Sequence, residues 1–185
     1  RDNRIILSRR LSEANPSAVH SPGADGYYPG YSGTSQDVVI RSFLAAYSGQ
    51  SASGTDIRTG FPQIPLPNWR ITYDGFSKFK WSEKYFSSVM LSHSYRSTYT
   101  VNTFSSNLDY SPDKNGYPAS LNSKGDYIPE YEMLQVSLSE QFGPLAGIDM
   151  TWKNSLLTRL ELKKDRTLSL SLANNQVTES RTSEY

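Results

Sequence analysis

Two histidines and no cysteine leave this 185-residue chain few routes to chemistry. His20 lies in a Gly- and Pro-rich stretch and His93 in an alternating one. With no second His or Cys at ligand spacing, a zinc centre is not expected. The missing thiols also exclude disulfide frameworks and thiolate nucleophiles. Serines are abundant, but there is no G-x-S-x-G elbow, and neither histidine has an evident acidic partner. Asp149 and Glu161 are the pair a glycosidase would need, yet on one extended strand they would stand roughly 40 Å apart, far beyond the usual carboxylate gap. Both are expected as solvated polar-face residues. The run SPDKNG ending at Gly116 lacks the acidic spacing and terminal Glu of a calcium loop and reads as a turn. The glycines of GADGYYPGYSG match no phosphate loop. Tyr27, Tyr28 and Tyr31 between them could stack on sugar or pack the loop. No enzyme, cofactor or metal is expected.

The elements around these residues are more informative. Across residues 134–172, Leu134, Val136, Leu138, Phe142, Ala146, Ile148, Met150, Trp152, Leu156, Leu160 and Leu162 share even parity, and Leu168, Leu170 and Leu172 resume it. Gln135, Ser137, Ser139, Gln141, Asp149, Thr151, Lys153, Ser155, Arg159, Glu161 and Lys163 occupy the other. A period of two marks strands with one apolar and one polar face. Strands are expected at 131–142, 147–163 and 166–178, joined by hairpins at Gly143-Pro144-Leu145 and Lys164-Asp165.

Earlier in the chain, 68–74 places Trp69, Ile71 and Tyr73 opposite Arg70 and Thr72. Residues 88–103 alternate Val89, Leu91, Tyr95, Tyr99 and Val101 against polar residues that include Arg96. Residues 4–11 are read as a further strand, although their apolar residues do not alternate cleanly. Residues 37–49 space Val39, Phe43 and Ala46 or Tyr47 as a short packing helix, with Asp37 as its cap and Gly49 as its stop. Aromatic anchors in 75–87 suggest a compact helical turn. Residues 12–67 and 105–129 form long loops, the first closing on a proline-stiffened run from Phe61 to Pro67.

The expected class is therefore all-β, with about six antiparallel strands plus a short helix. A net charge of +1 supplies no field for gathering nucleic acid. No charged start followed by an apolar signal region opens the chain. Low mean hydropathy does not separate a soluble sheet from a membrane wall that shows lipid every second residue. The alternation of long and compact connections matches outer-membrane barrels; on that pattern, 12–67, 105–129 and the turn near Asp165 face outward, and 76–86 and Gly143-Pro144 lie at the periplasmic rim. Six strands are too few to close such a barrel, so the membrane reading requires a piece of a longer chain. A secreted β-rich binding module, with loop aromatics as a glycan platform, is the alternative.

SQDVVIRSFLAAYSG (35–49), FPQIPLPNWRITYDGFSKF (61–79), KYFSSVMLSHSYRSTYTV (84–101) and 128–179, with GIDMTWKNSL at its centre, together resemble the C-terminal part of the SprA/Sov family. Those proteins are the giant outer-membrane translocons of type IX secretion in Bacteroidota, also needed for gliding motility, and are many times longer. The resemblance implies that 1–185 is a fragment of one very large β-barrel in the outer membrane of a Gram-negative bacterium, passing folded cargo proteins to the cell surface. It implies as partners the secreted cargo, a PorV-type outer-membrane barrel, a periplasmic plug protein and the lipid bilayer, with no catalysis by the conduit. Ser137, Thr151, Lys153, Arg159, Glu161 and Arg96 would face the lumen. Leu134, Val136, Leu138, Ile148, Met150, Trp152, Leu160, Leu162, Tyr95 and Tyr99 would face lipid or the partner barrel, although His93, Glu140 and Asn154 interrupt that parity.

Overall fold

The structure, a computed structural model, describes residues 2–47, 51–55, 57 and 68–185. The expected helix stop at Gly49 and the extended run from Phe61 to Pro67 lie outside the described residues. The fold is mostly β, with a few helices. Strands β1 (Trp69–Tyr73), β2 (Phe86–Ser106), β3 (Tyr131–Trp152), β4 (Leu157–Ser171) and β5 (Gln176–Glu184) form one antiparallel sheet in chain order. There are five strands among the described residues rather than six, and the outermost, β1 and β5, do not close on each other.

The expected break at Gly143-Pro144 is absent, and β3 runs through it for 22 residues. Proline has no N–H for the ladder, and side chains serve the neighbouring carbonyls instead. Ser94 Oγ donates to the Gly143 carbonyl at 2.5 Å, and His93 Nδ1 donates to that of Leu145 at 2.7 Å. Lys164-Asp165 likewise lies inside β4. The true turns are residues 153–156 and 172–175, where Ser155 and Asn175 take the positive φ values, 67° and 53°, that reverse the chain. Asn154 Oδ1 accepts the Leu156 N–H at 3.1 Å in the first turn, and Asn174 Oδ1 accepts that of Gln176 at 3.2 Å in the second.

The chain divides into two compact units. The first comprises Arg1–Pro65, Val101–Val136 and Leu170–Val177, and the second Leu66–Thr100, Ser137–Ser169 and Thr178–Tyr185.

In the first unit, the segment expected as a strand at 4–11 lies within a helix, α1 (Asp2–Ala14). Leu7, Ser8, Leu11 and Ser12 are buried along it, a pairing at four-residue steps that suits a helix and not a strand. Helix α2 (Gln36–Tyr47) forms where expected and is buried on nearly every side from Val38 to Ala45, whereas Ala46 is exposed. Ser35 takes the capping place expected of Asp37, its carbonyl accepting the Val39 N–H at 2.9 Å and its Oγ the Val38 N–H at 3.4 Å. Asp37 instead pairs with Arg41 one turn on, at 2.5 Å. Leu11, Tyr31, Val38 and Tyr127 form one core, and Leu7, Ala45 and Ala52 another.

Two loops of this unit share one device. Asp113 Oδ1 accepts the N–H groups of Asn115 and Tyr117 at 2.8 and 2.9 Å, and Asn122 Oδ1 those of Lys124 and Asp126 at 2.9 and 3.0 Å. Gly116 and Gly125 follow at φ 83° and 80°, a backbone that side chains disfavour. SPDKNG is thus a turn whose carboxylate holds its own backbone.

In the second unit, β1 pairs with β2 in the register Trp69 to Tyr95, Ile71 to His93 and Tyr73 to Leu91. The aromatic stretch between the two strands forms the expected helical turns, at Gly75–Lys78 and Lys80–Glu83.

Candidate functional site

The second unit presents two chemically distinct faces. On the first, Trp69 stacks on Tyr95 with ring centroids 4.5 Å apart, and Tyr95 meets Phe142 at 4.9 Å. His93 lies 6.2 Å from both Trp69 and Phe142. Ile71 is 57% exposed and Leu160 57%, with Trp69 and Tyr73 also open. By strand alternation, Ile148, Met150, Trp152 and Leu162 join them, all part-exposed. At the turn end, Trp152 packs against Phe86 at 4.4 Å and donates through Nε1 to Thr158 Oγ1 at 2.9 Å.

Charged residues cross this face in a row. Tyr95 donates its hydroxyl proton to Glu140 at 2.8 Å, and Glu140 pairs with Arg166 at 3.4 Å. Arg166 pairs with Glu179 at 2.6 Å, and Glu179 with Arg181 at 2.8 Å. Four strands, β2 to β5, are thereby tied by alternating partners. On the far side of the row, Leu138 and Leu168 are only 2% and 1% exposed, so open apolar surface stops there.

The second face carries the other parity. Arg159 bridges Asp149 at 3.5 Å and Glu161 at 3.4 Å, and Lys163 reaches Glu161 at 3.8 Å and Glu184 at 3.7 Å. Asp149 and Glu161 therefore sit on neighbouring strands, not far apart on one, because the turn falls at 153–156. One guanidinium lies against both, which leaves an ion-pair ladder rather than two carboxylates poised for acid and base roles. Arg159 and Glu161 share this ladder, and Thr151 joins their face by alternation. Ser137 is half-buried and Arg96 exposed on their strands. Lys153 belongs to the turn, not to a strand.

Among the residues expected to face lipid or a partner, Tyr95 is nearly buried within the aromatic cluster, Leu138 is buried, and Tyr99 is half-exposed. Leu134 and Val136 belong to the first unit, the former half-open and the latter fully buried. The row through Glu140 and Arg166 is not legible in the sequence, because partnership across strands depends on a register that alternation does not reveal. The available signal was two charges on the apolar parity.

The first unit holds a cavity of about 420 Å³ lined in part by Tyr31, Tyr110, Tyr117, Tyr131, Asp37 and Arg41. Burial pushes the Tyr31 and Tyr127 phenols above their ordinary range. Tyr31 packs against Tyr127 at 5.1 Å, which removes it from any open sugar platform with Tyr27 and Tyr28. His20 contacts Ser12 Oγ at 3.4 Å, and no group of three metal-ligating side chains occurs among the described residues. No helix among the described residues is long and apolar enough to cross a membrane, which says nothing of crossing by strands. The chain matches no family model and no curated protein.

Proposed function

We propose that the chain is a stretch of the wall of a very large outer-membrane β-barrel, a protein-conducting channel of the kind used in type IX secretion. The observation that carries this reading is the two-faced sheet built on strands of 21 and 22 residues. One side of its second unit opens apolar and aromatic groups, and the other displays a ladder of paired charges. A bilayer needs only about 9–11 residues of tilted strand. Strands twice that length suit a wall that continues beyond the membrane. Outer strands left unpaired are untenable in lipid unless further staves join them, as in a longer barrel.

The charged face suits a conduit for folded proteins. Asp149, Arg159, Glu161 and Lys163 alternate in sign and neutralise one another at the surface. Exposed pairs of this sort hold about 0–1 kcal/mol each, and their mixed signs give no sustained attraction to a passing protein. The role is passive, with no reaction at the wall. The SprA/Sov resemblance adds secreted cargo, a PorV-type barrel and a periplasmic plug protein as partners.

A photo-crosslinking residue at Glu161, introduced into the protein in secreting cells, is expected to capture cargo in transit, whereas one at Leu160 is expected to capture none. Recovery of the full-length protein in the soluble fraction without detergent overturns the reading. A secreted glycan-binding module is favoured by one feature, the tyrosine-lined cavity of about 420 Å³. Sugar binding by the protein in water, without detergent, would support it.

A further inference from the structure

The outer-membrane reading leaves open where along 22-residue strands the lipid begins and ends. Resting on that reading, we infer that the hydrocarbon layer meets the second unit on its aromatic face between two borders. One border is the cluster of Trp69, Tyr95 and Phe142 beneath the charged row, and the other is the pair Phe86 and Trp152 above the 153–156 turn.

The row sets the first limit. Glu140, Arg166, Glu179 and Arg181 present ionised groups on the same side as the aromatic residues. Charges at the centre of a bilayer cost several kcal/mol each and are seldom found facing lipid. The hydrocarbon edge therefore falls on the Phe142 side of the row. Tyr95 fits that level, since its ring lies in the aromatic cluster while its hydroxyl reaches back to Glu140 at 2.8 Å. Amphipathic rings favour this position at a membrane–water boundary. Lys164, exposed beside the row on β4, can extend its amine outward in the same way.

The turn sets the second limit. Lys153, Asn154 and Ser155 are exposed, and the Lys153 N–H donates to the Tyr85 carbonyl at 3.1 Å, bringing the two connections to one level. Trp81 and Tyr85 are 59% and 52% exposed there, and the Lys84 amine lies 5.4 Å from the Tyr85 ring centre. Exposed Trp and Tyr beside lysines form the second interfacial group.

The span between these limits supplies the decisive magnitude. The neighbouring strand β4 gauges the span past the Gly143-Pro144 stretch: from Arg166 beside Glu140 to Thr158 beside Trp152 is eight residues, or about 26 Å at roughly 3.3 Å each. Tilted by about 40°, as barrel strands are, it rises about 20 Å, and the aromatic rings at its two ends fill the rest of the roughly 25 Å apolar band of outer-membrane barrels. Ile71, Ile148, Met150, Leu160 and Leu162 lie within it.

Single cysteines can be introduced without competing thiols from this stretch. Nitroxide labels at Ile71, Met150, Leu160, Glu161, Glu179 and Asn154, in the protein reconstituted in lipid vesicles, test the borders by collision with oxygen and with a water-soluble nickel chelate. At Leu160 and Met150 oxygen is expected to dominate, by tenfold or more over its ratio at Glu161. Glu179 and Asn154 are expected to favour the nickel chelate. Oxygen dominance at Glu179 equal to that at Leu160 overturns the borders while leaving the membrane reading intact. Nickel access at every site, Leu160 included, overturns both.

Discussion

Replacing Arg41 with methionine tests whether one buried cation organises the helical part of the first unit. The Arg41 side chain is 7% exposed; its Nη1 donates to Asp37 Oδ1 at 2.5 Å and to the Asp37 carbonyl at 2.9 Å, and its Nη2 to the Ile57 carbonyl at 2.9 Å. Methionine fills similar space but leaves those acceptors unpaired. Breaking a fully buried pair costs about 3–5 kcal/mol. Asp37 retains 23% exposure, so water recovers part of that loss, and about 2–3 kcal/mol remains. Since every 1.4 kcal/mol is about tenfold, amide exchange in α2 should accelerate about 30- to 150-fold. Hydrogen exchange resolved at residues 36–47 measures this directly. Arg41→Lys should fall between, since an ammonium cannot reproduce the fork of donors. An acceleration below fivefold in Arg41→Met refutes the assigned role.

Other substitutions probe other levels of the structure. Gly30→Ala places a methyl group against the Tyr127 ring at a backbone φ of 87°, and thermal melting should register a loss of about 2 kcal/mol or more. Leu170→Ala, at a site 1% exposed, should cost about 2–5 kcal/mol in the same measurement. Leu160→Arg should reduce folded protein in outer membranes, by the roughly 2–4 kcal/mol that a cation costs at mid-bilayer. Leu157→Arg, at an exposed site of the opposite parity beside the turn, should be tolerated in the same assay. Asp113 lies below the usual carboxylate range because the Tyr117 backbone N–H, and others of its loop, donate to it. Its contribution is therefore present above the unfolded carboxylate value and is lost as pH falls through the lower folded value. Amide exchange at Asn115 and Tyr117 should show local loosening in acid, and Asp113→Asn, which keeps the accepting oxygen, should abolish that pH dependence.

Alternation between residues 134 and 172 revealed strands and their two faces because side-chain direction in a strand depends only on parity. Turn placement was less legible. Gly143-Pro144 carries the chemistry of a turn, yet His93 and Ser94 from the neighbouring strand take the exposed carbonyls and let β3 continue. Nothing in Ser155 advertised a positive φ, whereas Asn175 did belong to a residue type that tolerates one. In α1, Ile5, Ile6 and Leu7 suggest a strand locally, whereas the burial of Leu7 with Leu11 and of Ser8 with Ser12 belongs to a helix and exists only in the folded unit. The role of Arg166 was hidden for another reason: its partners are drawn from β3 and β5, and register is a property of the folded sheet.

The row through Glu140 also bears on how the strands find one another. A slip of two residues between β3 and β4 keeps every side chain on its proper face, so hydrophobic alternation cannot reject it. In one direction, such a slip sets Lys164 against Glu140 but leaves Arg166 opposite Leu138. In the other, it sets Leu168 against Glu140 and Arg166 against Phe142. Either error strands a charge beside an apolar group, so the ionic row acts as a checksum on assembly, accepting one alignment from a set that the greasy residues alone would treat as equivalent.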